Sequence, residues 1–234
     1  MHPIIDDILA YRELAKLLST YVEKIIEIVG EDGRLRAEFL QASTTTGRMG
    51  CKDPNLQNIP IRTEYGRRIR SAFVAPEGKV LIALDYSQIE LRLAAGLSGD
   101  EKLLSVFKSG GDIHAAVAAQ VFAVPPEHVD REMRRRAKII NFGILYGMGV
   151  NALRASLGES VSRDEASSFL DSYFANYPQL AKWVEFTKRD AALKGYTETV
   201  FGRRRHLPGF KSVLPHLRAQ AERFAVNAPI QGTQ

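Results

Sequence analysis

The 234-residue sequence predicts an α+β fold that is mostly helical. Apolar residues recur at helical spacing over residues 4–29, and a helical pattern with short breaks covers residues 113–185. A further helical stretch covers residues 215–228. Strand signals are fewer, namely a largely apolar run at residues 79–84 and a hairpin pattern at residues 196–208. Helices therefore outweigh strands in the predicted architecture.

The composition is that of a soluble globular protein with a mild basic excess. Hydrophobic residues make up 45% of the chain, charged residues make up 25%, and the net charge is +5. Arginines form clusters at residues 67–70, 134–136 and 203–205. One such cluster is more often a solvated face, whereas three along one chain favour a polyanionic partner. The charge permits a nucleic-acid partner without requiring one.

Several classes of protein are disfavoured by simple counts. Cys51 is the only cysteine, so no intrachain disulfide can form, and the five histidines lack zinc-ligand spacing. No apolar run approaches the length of a membrane span, and the N-terminus lacks the pattern of a signal peptide. We therefore expect a cytoplasmic protein without a membrane partner.

The first half of the chain predicts helix, then irregular chain, then a buried strand. Residues 4–29 fit one or two amphipathic helices that end at Gly30, and residues 41–66 are rich in Ser, Thr, Gly, Asn and Pro. The run at residues 79–84 fits a buried strand that ends at Asp85. Ser87 and Glu90, three residues apart, then predict a capping box and a helix through Leu97.

Asp85 is the first candidate site residue. A carboxylate at the end of a buried strand is held rigidly and could bind Mg²⁺, with the Tyr86 carbonyl as a further ligand. The alternative is that Asp85 only turns the chain and Ser87 only caps a helix. One carboxylate is also not sufficient for a two-metal site, which needs ligands from a second place.

A second pattern places Arg134, Lys138, Phe142 and Tyr146 four residues apart. On a helix they form one stripe about 18 Å long, with two cations at its start and two aromatic rings at its end. A nucleoside triphosphate has the same order of phosphates and stackable base. The alternative is an amphipathic helix with core aromatics and solvated cations, although Gly143 in its interior argues against that.

Together these segments resemble the family A DNA polymerases, the bacterial polymerase I group. The segment at 85–92 resembles the family's motif A, and the segment at 134–147 resembles its motif B. Further matches occur, in family order, at residues 46–48, 53–60, 201–205 and 223–233. The resemblance spans nearly the whole chain.

The resemblance implies roles for single residues. Asp85 and Tyr86 would hold Mg²⁺, two ions being expected in the complete enzyme, and Lys138 would join Asp85 in catalysis. Glu90 would crowd the sugar's 2′ position and so reject ribonucleotides. The residues that would bind the incoming nucleotide are Tyr86, Gln88, Glu90, His114, Arg134, Lys138, Phe142 and Tyr146. The residues that would face primer-template DNA, mostly in its minor groove, are Arg48, Asn55, Gln57, Asn58, Arg223, Asn227 and Gln231.

The resemblance also implies subdomains, a partial antiparallel palm sheet with an inserted helical fingers subdomain. Residues 1–40 would end the thumb helices, residues 41–111 would form a palm fragment, and residues 112–195 would form the fingers. Residues 196–234 would be a hairpin and a helix returning toward the palm.

The implied reaction is template-directed transfer of deoxynucleotides to a primer 3′-hydroxyl by two metal ions, in the bacterial cytoplasm near the nucleoid. The family's second catalytic aspartate lies in a His-Asp-Glu segment, and that tripeptide is absent from these 234 residues. We therefore expect weak or no activity from this chain alone. The alternatives are a non-catalytic fragment that binds DNA or nucleotides, or half of a split polymerase whose C-terminal half is another chain. Glu90 and Phe142 disfavour a third reading, a single-subunit RNA polymerase.

Overall fold

A computed structural model describes residues 2, 4–61, 63–158 and 160–234 of the chain. The chain divides into two compact units, Met1–Asp85 and Tyr86–Gln234. Within the described residues the fold is mostly helical, with small antiparallel sheets, as the sequence predicts. No helix in these ranges combines the length and the apolar character needed to cross a membrane.

The first unit begins with the predicted helical run and continues into short strands. Its elements are α1 (Ile4–Leu17), a π-helical segment (Leu18–Glu23), α2 (Lys24–Ile28), β1 (Glu38–Leu40), β2 (Gly50–Lys52), a 3₁₀ turn (Leu56–Asn58) and α3 (Glu64–Ser71). β1 and β2 are antiparallel, with Phe39 opposite Cys51. The helix α3, which the sequence did not indicate, is capped by Thr63, whose side chain accepts a hydrogen bond from the Gly66 N–H.

The predicted buried strand at residues 79–84 is wrong. Val80 is 77% exposed and Leu84 is 92% exposed, and no strand of the described chain pairs with this segment. A strand is stabilised by ladder hydrogen bonds and by a buried face, and neither is present here. Apolar sequence alone therefore does not make this segment a strand, and Asp85 does not lie at a strand end.

The second unit contains the predicted helical region, hairpin and C-terminal helix. Its helices are α4 (Ile89–Ser98), α5 (Glu101–Lys108), α6 (Ile113–Val121), α7 (Arg131–Leu145), α8 (Val150–Leu157), α9 (Arg163–Asn176), α10 (Pro178–Lys194) and α11 (Pro215–Gln231). β3 (Tyr196–Glu198) and β4 (Arg204–His206) form an antiparallel hairpin. Within residues 113–185 the α-helices are interrupted at residues 122–130, 146–149, 158–162 and 177, in agreement with the predicted short breaks.

The predicted capping box at the start of α4 is wrong, although the helix is present. The helix begins after Gln88, which has a left-handed backbone and makes no capping hydrogen bond through its side chain. The Ser87 carbonyl accepts a hydrogen bond from Arg92 Nε at 3.0 Å. The Glu90 carboxylate accepts a tertiary hydrogen bond from the Tyr146 hydroxyl.

The second unit has one extensive apolar core, to which α4, α6, α7, α9 and α10 contribute. Asp100 is buried within it and organises two helix starts. Its Oδ1 accepts from the Leu103 N–H at 3.2 Å and caps α5, and its Oδ2 accepts from the N–H groups of Gln179 and Leu180 at the start of α10. One carboxylate therefore satisfies the free amides of two helices and fixes their relative position.

Candidate functional site

The predicted stripe is present on α7. Arg134, Lys138 and Phe142 lie on this helix, and Tyr146 caps its C-terminal end. The rings of Phe142 and Tyr146 are stacked, with centroids 6.2 Å apart and planes 18° apart. Both rings are only half-buried, which differs from the core aromatics of the alternative interpretation, whereas both cations are exposed, as that alternative also expects. The stripe offers charge at one end and aromatic faces at the other.

The cationic end is held against α6 by Asp112. Arg134 Nε donates to Asp112 Oδ2 at 2.6 Å, while Asp112 Oδ1 caps α6 by accepting from the N–H groups of His114 and Ala115. Burial raises the pKa of Asp112, but the hydrogen bonds from Arg134 and the backbone outweigh it and leave that pKa lowered. Asp112 therefore stays ionised and orients the Arg134 guanidinium.

His114 lies beside the stripe, with its ring centroid 6.0 Å from that of Phe142. Burial lowers its pKa, the charges of Arg134 and Lys138 lower it further, and Asp112 offsets part of the effect. A neutral imidazole is therefore favoured next to the two cations. His114 Nδ1 lies 3.2 Å from Asn141 Nδ2, and Asn141 Oδ1 accepts a hydrogen bond from the Tyr173 hydroxyl at 3.0 Å.

The aromatic end of the stripe is joined to α4. The Tyr146 hydroxyl donates to Glu90 Oε2 at 2.8 Å, and Glu90 is buried. The structure thus brings together six of the residues to which the resemblance assigns the nucleotide, namely Glu90, His114, Arg134, Lys138, Phe142 and Tyr146. Tyr86 and Gln88 precede α4, and the Tyr86 side chain is 79% exposed.

The metal-site prediction rests on few ligands. Asp85 is exposed and is the last residue of the first unit, whereas Tyr86 begins the second. Within the described ranges no three side chains of His, Cys, Asp or Glu form a group that could hold a metal ion. A single carboxylate and a backbone carbonyl nevertheless suit Mg²⁺, which commonly keeps several waters and takes substrate phosphates as ligands.

Comparison with known proteins decides the family. The family model described as DNA polymerase family A matches residues 1–234. The chain belongs to DNA polymerase family A. It is 52% identical over 233 residues to the thermostable DNA polymerase I of Thermus thermophilus, which covers 99% of this chain and 28% of that protein. It is 50% identical over 227 residues to DNA polymerase I of Pseudomonas aeruginosa, covering 97% of this chain and 25% of the relative.

A solved structure supports the same assignment. The chain superimposes with a TM-score of 0.86 on the polymerase domain of Pol1 from M. smegmatis, solved in complex with a DNA primer-template and dNTP. The two are 42% identical, and the match covers 99% of this chain and 41% of that one. The family A chain described here thus spans about a quarter of the length of the curated relatives it matches.

In this family A chain, the predicted DNA-facing residues fall into two groups. In the first unit, Asn55 Oδ1 accepts from the Gln57 N–H, and Gln57 Nε2 donates to the Met49 carbonyl at 3.1 Å. The Thr44 hydroxyl donates to the Arg48 carbonyl, and the Tyr21 hydroxyl donates to the Asn58 carbonyl. These contacts give the loop a defined shape.

In the second unit, Arg223, Asn227 and Gln231 lie four residues apart on α11 and form one half-buried stripe. The turn after α7 packs directly on this helix. A Cβ at Gly147, where φ is +65°, would lie 2.9 Å from Arg223 Cγ and 3.1 Å from Arg223 Cα. Glycine therefore permits the close approach of the turn after α7 to α11.

Sequence reasoning missed the residues that support the site. These are Asp112, Asn141 and Tyr173. Asp112 could have been found, because an Asp two residues before His114 at a helix start is a typical N-cap. Asn141 and Tyr173 gave no local signal, since their partners come from other helices.

Proposed function

We propose that this family A chain is the nucleotide-selecting part of a DNA polymerase, which adds deoxynucleotides to a primer 3′-hydroxyl on a template. The observation that carries this proposal is the α7 stripe, with Arg134 and Lys138 at one end and the stacked rings of Phe142 and Tyr146 at the other. The primer-template and dNTP named for the solved polymerase domain support the same partners for this chain.

In this proposal Arg134, Lys138 and His114 hold the triphosphate, and Lys138 also acts in catalysis. Phe142 packs against the sugar and base, and Tyr146 closes the pocket beside the templating base. Such a site works mainly by positioning and by neutralising charge that develops on the transferred phosphate. Glu90, held next to Tyr146 by their hydrogen bond, rejects a 2′-hydroxyl by steric conflict.

Asp85 and the Tyr86 carbonyl would hold a divalent cation, which we propose is Mg²⁺, with Gln88 beside the nucleotide. Bound there, the metal would neutralise phosphate charge and activate the primer hydroxyl. The two-ion chemistry of the family needs a second carboxylate, which we propose lies outside these 234 residues. It would be supplied by further sequence or by a C-terminal half on another chain.

Two sets of residues would contact DNA, each within its own unit: Arg48, Asn55, Gln57 and Asn58 in the first unit, and the α11 stripe of Arg223, Asn227 and Gln231 in the second. Arg, Asn and Gln donate to minor-groove acceptors that are nearly common to all base pairs, so they check pair geometry without reading sequence. The subdomain limits proposed are thumb for 1–40, palm for 41–111, fingers for 112–195, and a returning hairpin and helix for 196–234. A bacterial, nucleoid-associated location would follow.

The first test measures dATP binding by calorimetry and primed-DNA binding by fluorescence anisotropy, both with the full chain and Mg²⁺. Arg134→Ala should weaken dATP binding about 10- to 100-fold, because a charged hydrogen-bond donor is lost. Arg135→Ala is the control. It removes an equal charge from another face of α7, where Arg135 pairs with Glu132, and should change dATP affinity less than about threefold. The proposal would be refuted if the wild-type chain failed to bind dATP or failed to bind primed DNA.

A primer-extension assay with an Asp85→Ala control separates the catalytic alternatives. If the chain binds dATP and primed DNA but does not extend the primer, the result supports a chain that selects nucleotides and needs the second catalytic carboxylate from elsewhere. Extension that disappears in Asp85→Ala would show that the second carboxylate is not needed from outside. Comparing the use of dATP with the use of ATP in this assay distinguishes a DNA polymerase from an RNA polymerase. Glu90→Ala should reduce the preference for dATP over ATP.

A further inference from the structure

A buried chain of hydrogen bonds lies behind the α7 stripe and joins three helices. It runs from Tyr173 on α9 through Asn141 on α7 to His114 on α6. Tyr173 and Asn141 are fully buried, and 4% of His114 is exposed. Burying a polar group costs free energy unless the group is hydrogen-bonded. The three side chains satisfy one another, so these hydrogen bonds are a structural part of the core.

The direction of each hydrogen bond follows from the groups that face each other. The Tyr173 hydroxyl donates a hydrogen bond to Asn141 Oδ1 at 3.0 Å, and burial raises the pKa of this phenol, so it keeps its proton. The amide is thereby oriented with Nδ2 toward His114 Nδ1, 3.2 Å away. An amide NH₂ group can only donate, so Nδ1 must accept. The proton of a neutral His114 is then on Nε2.

This arrangement matters because of what surrounds the ring. His114 lies next to Phe142 and within the electrostatic influence of Arg134 and Lys138, where a third positive charge would be unfavourable. A neutral ring with a fixed N–H remains a hydrogen-bond donor without adding charge. A donor set before the ligand arrives needs no reorganisation when a phosphate oxygen binds.

We propose that Tyr173 and Asn141 are positioning residues that hold His114 as its Nε2–H tautomer, so that this N–H donates to a phosphate oxygen of the nucleotide held by Arg134 and Lys138. The ligand part of this inference rests on the proposed function. The tautomer part rests on the hydrogen bonds alone and needs no ligand.

The test combines two measurements on the full chain. Long-range ¹H–¹⁵N NMR of the imidazole reports the tautomer without ligand, and calorimetry reports the affinity for dATP with Mg²⁺. The variants are Tyr173→Phe and Asn141→Leu, with Tyr177→Phe as matched control. Tyr177 is also buried, and its ring centroid lies 4.9 Å from that of Tyr173, but its hydroxyl is not among the hydrogen bonds that link Tyr173, Asn141 and His114.

The wild type and Tyr177→Phe should show the Nε2–H form, and Tyr173→Phe and Asn141→Leu should show a mixture of tautomers. Tyr173→Phe and Asn141→Leu should each bind dATP about three- to tenfold more weakly, as expected for one lost hydrogen bond. Tyr177→Phe should stay within twofold of the wild type. An Nδ1–H form in the wild type would overturn the inference, and this readout remains decisive if a variant does not fold. Altered tautomers with unchanged dATP affinity would overturn the ligand role alone, whereas a wild type that binds no dATP would refute the proposed function and that role together.

Discussion

The Tyr146 hydroxyl and the Glu90 carboxylate, 56 positions apart in the chain, share a hydrogen bond of 2.8 Å at the aromatic end of the α7 stripe. The bond links the start of α4 to the end of α7, so it connects two segments that the sequence presents as separate motifs. Because Glu90 is buried, its environment depends on which groups α7 presents to it.

Tyr146→Phe should therefore lower the free energy of unfolding by about 1.5–3 kcal/mol, the usual range for a hydrogen bond to a charged group. Chemical denaturation followed by circular dichroism measures the change. Tyr196→Phe, which removes a hydroxyl from the hairpin of the same unit, serves as control and should change stability by less than about 0.5 kcal/mol. Equal effects of the two variants would show that the bond to Glu90 contributes little.

Asp100→Ala should be among the most destabilising changes of a polar residue in the second unit. It removes the cap of α5 and leaves buried amides at the start of α10 without their acceptor, which predicts a loss of about 2–4 kcal/mol. Asp130→Ala is the matched control, because Asp130 is exposed and caps α7 alone through the Met133 N–H. Its loss should be about 1 kcal/mol, and a similar loss for both would contradict the double-cap assignment.

Gly147→Ala should be destabilising for two reasons, and a substitution at a second glycine, Gly195, distinguishes them. The left-handed backbone disfavours any Cβ, and here the Cβ would also collide with Arg223 on α11. Gly195 has φ of +77° with no atom within 4 Å of an added Cβ, so Gly195→Ala measures the backbone effect alone. We expect Gly147→Ala to cost about 1–3 kcal/mol more in thermal or chemical unfolding. Equal losses would mean that α11 moves away without penalty.

The lowered pKa of His114 predicts that acid destabilises the second unit. Below about pH 6.5 the unfolded chain binds a proton on His114 that the folded chain does not, so the free energy of unfolding falls as the pH falls, until the folded pKa is reached. The charged groups that face the ring are Asp112, Arg134 and Lys138.

The check is to measure unfolding between about pH 7.5 and pH 5 for the wild type and for His114→Gln. The wild type should lose stability relative to the variant across this window. The pKa of Asp112 is also lowered, but its contribution is present above its unfolded pKa near 3.9 and is lost only below it, outside the window. Parallel pH profiles for the two proteins would contradict a depressed pKa for His114.

Much of the helical architecture and the order of the α7 stripe could be predicted from sequence. The spacing of four between Arg134, Lys138, Phe142 and Tyr146 is enough, because helix geometry alone places such residues on one stripe. The helical stretches and the hairpin were likewise recognisable, since their periodicity and their Pro and Gly positions are local properties. The resemblance of the motifs to DNA polymerase family A was correct for the same reason.

The strand predicted at residues 79–84 failed because a strand is stabilised by neighbours, which the run of apolar residues does not specify. The pairs Arg134–Asp112, Asn141–His114, Tyr173–Asn141 and Tyr146–Glu90 join residues 22, 27, 32 and 56 positions apart. Which of these side chains meet depends on how α4, α6, α7 and α9 pack around their shared core. Local sequence thus decides where the helices run and what each face carries, and tertiary packing decides which buried polar groups become partners.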